Sequence, residues 1–323
     1  MGKIVSFIET LEGKSRNNSL EALRAAQILA NAQGHALTIV LFTDGSIPDG
    51  LEGYKANHFI IGKSPDLADY SSEHYVEAMI QIIAREKPEI ILAGHSYQAR
   101  DWLPRLAARS QFSMISDCIS FKTDPTLLWT RQVFQGKMDA DITIDASGAI
   151  VSFQSGSYKA DELESGAPEV VNLDLDLSHV ESKIRRSVRA KAGIATVELS
   201  SADRIVSVGR GIGEETSIQL VRDLAEALQA ELGSSRPVVD YNWLEHDRQI
   251  GSSGQTVTPD LYLAVGISGA IQHQVGMKNS GCIVAINKDA DAPIFEIADY
   301  GIVGDLFEIV PALTAALKER QAD

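Results

Sequence analysis

The stretch from Pro259 to Asn287 constrains the fold of this chain more than any other. It begins with an apolar run, Leu261 to Val265, which predicts a buried strand. A glycine-containing turn, Gly266 to Gly269, comes next, and helical spacing then predicts a helix over Ala270 to Met277. A second apolar run, Cys282 to Ile286, predicts another buried strand. Strand, turn, helix and strand form a half-unit of a doubly wound sheet, which binds ligands at the carboxyl ends of its strands.

Polar residues inside this unit suggest what that ligand is. The N–H groups at the start of the predicted helix, and the hydroxyl of Ser268, suit an anionic diphosphate. Gln272 and His273 follow one turn later among apolar neighbours, where buried polar groups need partners. The alternative is a glycine turn with only a packing role beside a buried histidine that is satisfied within the core. The stretch alone leaves both interpretations open.

The N-terminal part of the chain predicts a separate α/β domain. Between Lys3 and Arg109, apolar strands alternate with amphipathic helices, which indicates a parallel sheet. The first helix is predicted to begin with a capping box formed by Asn18 and Glu21 and to end at Gly34. From Met114 to Phe153, short strands separated by turns predict antiparallel additions to this sheet.

A charge-rich stretch, Leu173 to Ile194, lacks an apolar period and is interpreted as the end of the first domain and a linker. We therefore place an N-terminal α/β domain at residues 1–195 and a C-terminal doubly wound parallel-sheet domain at residues 196–323. Two domains agree with the length of 323 residues.

Within the C-terminal domain, the pattern predicts several elements before the Pro259 unit. A strand over Ile205 to Val208 precedes a helix over Ser217 to Leu232, which Gly233 is predicted to end. A short strand is predicted at Pro237 to Val239. A closing helix is predicted from Asp305 to Leu317.

Composition excludes several classes of function. The net charge of −15 argues against broad contacts with nucleic acid or with anionic membranes, because both require clustered lysine and arginine. No apolar run reaches the length of a membrane span, and neither a signal peptide nor a presequence is visible, so we expect a bacterial cytoplasmic protein without membrane insertion. Cys118 and Cys282 are expected to be buried free thiols. The histidine spacing suggests no metal site.

Nucleophilic or nicotinamide chemistry finds little support. The turn Gly209–Gly213 has the pattern GxGxG instead of GxGxxG, and no clear acidic partner follows about 20 residues later. There is no GxSxG elbow. A packing role for these glycines, a nicotinamide-dependent dehydrogenase and a nucleotide-binding or docking protein therefore remain alternatives at this point.

The sequence LYLAVGISGAIQHQVGMKNSGCIVAIN, continuing to Leu313, closely resembles the signature of electron-transfer flavoprotein alpha subunits. The segments VSVGRGIG, GSSRPVVD, ILAGHSYQARD and TRQVFQGK extend this resemblance over essentially the whole chain. It implies an electron carrier, not a stand-alone catalyst, that binds FAD in its C-terminal domain and forms a heterodimer with a beta subunit. It also implies that flavin dehydrogenases, such as acyl-CoA dehydrogenases, donate electrons and that a membrane quinone oxidoreductase accepts them.

The resemblance further implies roles for individual residues. The diphosphate would bind the turn that ends in Ser268, Gly269, Ala270 and Ile271. His273, with Gln272 beside it, would lie near the N1–C2=O edge of the flavin, where a donor or cation stabilises the negative charge of reduction. Arg236 would lie over the isoalloxazine ring and raise its reduction potential.

Other carried-over positions surround these. Ser235 would be a further FAD contact, Arg210 a cofactor-site arginine without an assigned partner, and the adenosine half would meet Asn287, Asp305 and Leu306. Where the family commonly shows Gly-Gln-Thr-Gly, this chain has Gly251, Ser252, Ser253 and Gly254, and Gln249 and Ile250 directly before them are also expected to bind the cofactor. Ser253 keeps the hydroxyl for flavin N5, whereas Ser252 and Gln255 replace the family's glutamine and lysine, so the tuning of the potential is open.

Overall fold

The computed structural model describes residues 2–11, 13–45, 47–134, 136–182 and 199–322. These residues form two compact units, one on each side of the gap at 183–198. The predicted domain boundary between residues 195 and 196, and most of the predicted linker, lie outside the described residues, so the boundary stays a prediction. None of the described helices combines the length and the apolarity needed to cross a membrane.

The N-terminal unit is built on one large mixed sheet. In chain order its strands are β1 (Lys3–Ile8), β2 (Thr10–Leu11), β3 (Lys14–Ser15), β4 (Ala36–Thr43), β5 (His58–Lys63), β6 (Ile90–Gly94), β7 (Ser113–Lys122), β8 (Leu128–Val133), β9 (Met138–Ile142), β10 (Ala149–Phe153) and β11 (Glu169–Asp174). Its helices are α1 (Asn17–Gln33), α2 (Ser72–Glu86) and α3 (Tyr97–Ser110). The strand order is β11-β5-β4-β1-β6-β10-β7-β8-β9, and β2 and β3 form a separate small hairpin.

Apolar side chains alternate between the two faces of this sheet, which gives a core on each side. Helix α1 covers one face through residues such as Leu23 and Leu29. Helices α2 and α3 cover the other, where Trp102 packs in the aromatic cluster around Phe7. The predicted parallel sheet with antiparallel additions is confirmed, because β7, β8 and β9 pair antiparallel.

Two expectations for the strands of this unit were wrong in detail, and one of two expectations for the cysteines. The strand Ala149–Phe153 is not antiparallel but lies parallel between β6 and β7. The stretch taken as a linker begins inside a strand, since Glu169–Asp174 pairs with β5 along the sheet edge. In this strand the half-buried Val171 and Leu173 alternate with exposed residues, so the apolar pattern is too weak to predict a strand from the sequence. Cys118 is buried as expected, whereas Cys282 in the other unit is only half-buried; both are free.

The predicted capping box is also absent. Helix α1 begins at Asn17, two residues before the first helical position that a cap at Asn18 implies, and its N-cap residue, Arg16, makes no capping hydrogen bond through its side chain. Glu21 instead points inward and accepts hydrogen bonds from the backbone N–H of Gly156 at 2.7 Å and from Nδ2 of Asn17 at 2.8 Å. The Glu21 carboxylate therefore binds a backbone N–H distant in sequence instead of the N–H groups at the start of its own helix. Gly34 ends the helix in the left-handed conformation, as predicted.

The C-terminal unit is a five-stranded, fully parallel sheet. Its strands are β12 (Arg204–Val208), β13 (Glu231–Ser234), β14 (Leu261–Val265), β15 (Ile283–Asn287) and β16 (Tyr300–Val303). Its helices are α4 (Ile218–Leu228), α5 (Arg236–Asp240), α6 (Ile271–Gln274) and α7 (Leu306–Ala322). The order β13-β12-β14-β15-β16 reverses direction beside β12, so the predicted doubly wound topology is confirmed.

Helices α4 and α7 cover one face of this sheet with a core that includes Val221 and Val310. The other face is covered by residues such as Ile250, Met277 and Ile294, which come from loops and short helical turns. The unit therefore leaves one edge, at the carboxyl ends of the strands, surrounded mainly by turns and loops.

Several boundaries in this unit differ from the sequence expectation. Helix α4 ends at Leu228, where Gln229 takes the left-handed conformation, and Gly233 lies inside β13 instead of ending the helix. The predicted strand at residues 237–239 is the short helix α5, with Pro237 in its first turn, where a missing N–H is tolerated. Pairing of β13 with β12 overrides the local helical pattern. The helix predicted over 270–277 is only α6, followed by turns.

We predict that Glu21 makes the stability of the N-terminal unit depend on pH. Burial raises the pKa of Glu21 to about 7, against the lowering effect of its hydrogen bond from Gly156. The folded chain thus holds this proton more tightly than the unfolded chain. Its contribution to stability is present at low pH and is lost as the pH rises from about 4.5 to about 7, by at most ~1.4 kcal/mol per pH unit.

Glu21→Gln should remove this dependence and raise the melting temperature at pH 8, because the amide oxygen still accepts from Gly156 and the Asn17 side-chain amide can turn its oxygen towards the new NH2 group. Calorimetry between pH 5 and pH 8 measures the effect. Glu52→Gln, at an exposed position of the same unit, is the control and should follow the wild type. Parallel pH profiles for wild type and Glu21→Gln would contradict the assignment.

Candidate functional site

The candidate site lies where the five parallel strands of the C-terminal sheet end. β13 leads into Ser235, β12 into Gly209 and β14 into Gly266, whereas Asn287 ends β15 and Gly304 follows β16. Backbone hydrogen bonds continue the sheet one residue further: Gly209 donates to Val265, Gly266 to Ile286 and Gly304 to Asn287, at 2.8, 2.9 and 3.0 Å. Nearly all sequence-predicted site residues lie on the segments that leave this edge.

The turns after β12 and β14 pack directly against each other. A Cβ atom on Gly209 would collide with the carbonyl oxygen of Gly266, and one on Gly211 would lie 2.9 Å from the Gly266 Cα. The N–H of Gly211 donates to the same carbonyl at 3.0 Å. Gly266 itself has φ of 63°, in the left-handed region that favours glycine. Gly209 and Gly211 thus allow the backbone of their turn to contact the backbone at Gly266, which is the packing role that the sequence left as an alternative.

The turn at Ser268 and Gly269 presents a row of backbone donors. Gly269 has φ of 83°, and its Cβ would collide with the backbone nitrogen of Ile294. Ser268 and Gly269 use their carbonyls, which accept from Ile294 N at 3.1 Å and Gln274 Nε2 at 2.8 Å. Within the part of the chain that the structure describes, the N–H groups of residues 268–272 have no hydrogen-bond partner. Such a row of donors is suited to a phosphate group.

The loop formed by residues 249–255 lies against this turn. Its N-terminal end is fixed to the sheet, because Ile250 N donates to Ser234 at 2.9 Å. Its other contact is with α6, where Ser252 N donates to the carbonyl of Gln272 at 2.7 Å. Gly251 makes this contact possible, since its φ is 137° and a Cβ there would be 2.7 Å from the Gln272 oxygen. The exposed Ser253 hydroxyl accepts from Gln249 Nε2 at 2.9 Å.

His273 is buried beneath that loop. Its Nδ1 lies 3.1 Å from the carbonyl oxygen of Ile250, and its Nε2 lies 2.9 Å from the hydroxyl of Tyr262. Burial lowers the pKa of His273 to about 4, so the ring is uncharged at neutral pH. The structure therefore gives both ring nitrogens partners inside the protein, as the alternative of a satisfied buried histidine requires. A contact of this ring with flavin stays a prediction.

Two exposed arginines supply positive charge at the same edge. Arg236 begins α5 directly after the buried Ser235, whose N–H donates to Val208 at 3.0 Å. Its Nε lies 3.3 Å from a carboxylate oxygen of Asp240, and both side chains are more than half exposed. Arg210 is exposed in the turn after β12. These two cations remain accessible to an anionic or aromatic ligand.

The residues expected to meet adenosine have different surroundings. Asn287 uses both ends of its amide inside the protein: Nδ2 donates to Ile267 at 2.9 Å, and Oδ1 accepts from Asp289 N at 3.0 Å. Asp305 is exposed and accepts from Phe307 N at 2.9 Å at the start of α7. Leu306 is buried and packs towards Gly266. Asn287 therefore shapes the turn after β14, whereas the Asp305 carboxylate is open to a ligand.

The corresponding edge of the N-terminal sheet is different, since the protein's own side chains occupy it. Glu9, directly after β1, is buried and lies 2.9 Å from Arg16 Nε. The same carboxylate accepts a hydrogen bond from Ser96, the residue that caps α3. Burial raises the pKa of Glu9. A carboxylate thus stands at the helix N-terminus where a phosphate would otherwise bind, so the C-terminal edge is the better candidate.

These features define a class of protein. A doubly wound parallel sheet, unpartnered backbone donors beyond its strand ends and exposed arginines beside them are the arrangement that dinucleotide-binding α/β proteins use. The donor set fits a diphosphate with a flanking aromatic group, and the residues present agree with FAD.

Sequence comparisons identify the family. Residues 4–178, more than half of the chain, match the Electron transfer flavoprotein domain, and residues 198–278 match the Electron transfer flavoprotein FAD-binding domain. The chain belongs to the electron transfer flavoprotein alpha-subunit family. Its C-terminal domain is an FAD-binding domain, and an alpha subunit implies a beta-subunit partner.

Individual relatives agree over nearly their full length. Electron transfer flavoprotein subunit alpha of Thermoanaerobacterium thermosaccharolyticum is 39% identical over 97% of this chain and 97% of its own. The subunit of the same name from Bacillus subtilis is 37% identical over 98% of both chains. Acryloyl-CoA reductase electron transfer subunit beta of Anaerotignum propionicum is 37% identical over 97% of this chain and 95% of its own.

Sequence reasoning missed one residue of this neighbourhood, Tyr262. It lies in an apolar strand pattern that predicts only burial, and it is fully buried. Its hydroxyl nevertheless contacts His273, 11 residues later in the chain. The only available signal was the presence of a phenol in an otherwise aliphatic strand, since a buried tyrosine hydroxyl needs a partner.

We predict that the contact between the two glycine turns is required for cofactor binding. Gly209→Ala would place a methyl group against the Gly266 carbonyl, so the turns must separate, at a cost of about 1–3 kcal/mol. The variant should have a lower melting temperature and a lower FAD content after purification with its beta subunit. Gly53→Ala, where a Cβ meets nothing within 4 Å, is the control. Wild-type stability and FAD content in Gly209→Ala would contradict this prediction.

Proposed function

We propose that this protein is the FAD-binding alpha subunit of a heterodimeric electron carrier and that FAD occupies the carboxyl edge of the C-terminal sheet. The observation that carries the proposal is the row of N–H groups at residues 268–272, which lack partners among the described residues and lie within the match to the FAD-binding family. Bound FAD supplies one- and two-electron redox chemistry. The protein's own residues bind, orient and polarise it.

The proposal gives a role to several of the predicted residues. The backbone at Ser268 and Gly269 binds the diphosphate, and Asp305 accepts hydrogen bonds from the ribose. Arg236 places a positive charge beside the isoalloxazine ring, which favours its reduced, more negative form. The Ser253 hydroxyl, already oriented by Gln249, donates to the flavin edge. Ser252 and Gln255, which differ from the family pattern, leave that loop without the family's lysine charge.

Flavin dehydrogenases acting on acyl-CoA substrates are the proposed electron donors, and a membrane quinone oxidoreductase is the proposed acceptor. One relative, at 37% identity, is named as an electron transfer subunit of an acryloyl-CoA reductase, which supports CoA-ester oxidoreductases as the partner class. We propose a cytoplasmic location for the heterodimer. Its function is to carry electrons between these enzymes without transforming a substrate of its own.

We expect the protein, co-expressed with a beta subunit, to purify as a yellow complex with one FAD bound at this site. Absorbance and extraction of the flavin followed by chromatography measure this content. The Gly53→Ala variant, purified in the same way, is the control and should contain as much FAD as the wild type. A folded complex that contains no extractable FAD would favour the alternative of a nucleotide-binding or docking protein without a redox role.

We also predict that Arg236→Ala lowers the flavin reduction potential. An exposed charge beside the ring contributes about 1 kcal/mol, which corresponds to on the order of 20 mV for a two-electron couple. Potentiometric titration measures the shift. Arg222→Ala removes an exposed arginine from α4 and is the control for net charge. An identical potential for wild type and Arg236→Ala would remove Arg236 from the ring-stacking role.

A further inference from the structure

A chain of buried polar groups lies behind the proposed flavin site. It starts at Tyr262 near the beginning of β14, the central strand of the sheet, passes through the ring of His273 and ends at the carbonyl of Ile250. The tyrosine is fully buried, and His273 is 6% exposed. The surrounding core contributes apolar side chains, including Ile267 and Met277. Polar groups in such surroundings are held by specific hydrogen bonds, since an unpaired one is costly.

The direction of these hydrogen bonds follows from their end groups. The Ile250 carbonyl can only accept, so Nδ1 of His273 must carry a proton and donate. In an uncharged imidazole the other nitrogen, Nε2, is then an acceptor. The hydroxyl of Tyr262 is therefore the donor to Nε2. The Ile250 carbonyl thus selects the tautomer with its proton on Nδ1, and the Tyr262 hydroxyl, which can donate or accept, donates to the other nitrogen.

Burial supports the same protonation states. It lowers the pKa of His273 to about 4, which keeps the ring uncharged. It also raises the pKa of Tyr262 well above its usual range, against a smaller lowering effect of Ser207, so the phenol keeps the proton that it donates. The chain of hydrogen bonds is thus fully paired without a net charge.

Ile250 connects this chain to the loop at residues 249–255. Its own N–H donates to Ser234, and the next residues form the turn that contacts α6 through Ser252. The Ile250 carbonyl is thus the point at which the core holds the segment that carries Ser253. A change in the His273 tautomer would replace its Nδ1 donor with a lone pair facing that carbonyl, and the two would repel.

We propose that Tyr262 is a positioning residue of the flavin site, because its hydroxyl donates to Nε2 of His273 and holds the ring in place, while Nδ1–H, in the tautomer that the Ile250 carbonyl requires, holds the 249–255 loop. The inference deepens the proposed function, since this loop presents Ser253 to the flavin. In this proposal the uncharged His273 ring acts by holding the 249–255 loop, and it does not place a charge beside the flavin. Tyr262 acts through His273 and needs no contact with the cofactor.

The tautomer is measured directly by NMR on the flavin-containing heterodimer with ¹⁵N-labelled histidine. Two-bond correlations distinguish protonation at Nδ1 from protonation at Nε2, and the signal lost in His273→Gln identifies the residue. We expect the wild-type ring to be protonated only at Nδ1 at pH 7. A ring protonated at Nε2, or at both nitrogens, would overturn the proposal without any Tyr262 variant.

Tyr262→Phe then tests the positioning role, since it keeps the buried ring and removes only the hydroxyl. We expect the Ile250 carbonyl to keep the proton on Nδ1, and the ¹⁵N chemical shift of Nε2 to change because it loses its donor. Hydrogen exchange in residues 249–255 should be roughly five- to tenfold faster, as the loss of one hydrogen bond implies. Tyr158→Phe removes a largely buried hydroxyl from the N-terminal unit and should change neither readout. An unchanged Nε2 chemical shift and unchanged exchange in Tyr262→Phe would overturn the role of Tyr262.

The outcome is separable from that of the proposed function. If the complex contains no FAD, the proposed function fails, yet the His273 tautomer and the exchange of the loop can still be measured in the same preparation. If FAD is bound and the wild-type tautomer is the opposite one, only the inference about Tyr262 fails. The reduction potential of Tyr262→Phe gives a third readout, and we expect it to shift only if the loop has moved.

Discussion

The close contact between the turns after β12 and β14 is the constraint on which the C-terminal unit depends. Neither turn can carry a side chain where the Gly209 backbone meets the Gly266 carbonyl. Because adjacent parallel strands end at the same edge, this contact fixes where the following segments begin. The donors at Ser268 and Gly269, the start of α7 at Leu306 and the Arg210 turn all take their positions from it. Glycine serves close packing here, and ligand binding follows from the geometry that the packing creates.

The two sheets of the chain show how similar frameworks differ in what they can bind. In the N-terminal sheet, the buried Glu9 carboxylate and Arg16 occupy the strand ends beside the start of α3. In the C-terminal sheet, the backbone donors after β14 lack partners among the described residues, and Arg236 is exposed. A negative side chain repels phosphate, whereas free N–H groups and a nearby cation attract it. Electrostatics, more than topology, distinguishes the two edges.

His273 illustrates the limit of transferring a role by resemblance. The family pattern predicts a donor or cation beside the flavin, and the residue does lie in the expected motif. In the folded chain, however, Tyr262 and Ile250 engage its two ring nitrogens, and burial keeps it uncharged. The histidine thereby connects the centre of the sheet to the 249–255 loop. In the role proposed here, the histidine acts on a bound cofactor through this loop, which presents Ser253.

The sequence by itself determined the elements with strong apolar periods, such as Leu261–Val265, the glycine turn that follows, and the family with its FAD-binding domain. These depend on local spacing or on many matching residues. Only the tertiary structure decided that Gly233 belongs to a strand and that Glu21 serves Gly156 instead of a helix cap. It also decided which N–H groups at the site lack partners among the described residues, and that the Tyr262 hydroxyl lies within hydrogen-bond distance of His273. Hydrogen-bond partners of this kind come from residues distant in sequence or on different elements, so no local pattern specifies them.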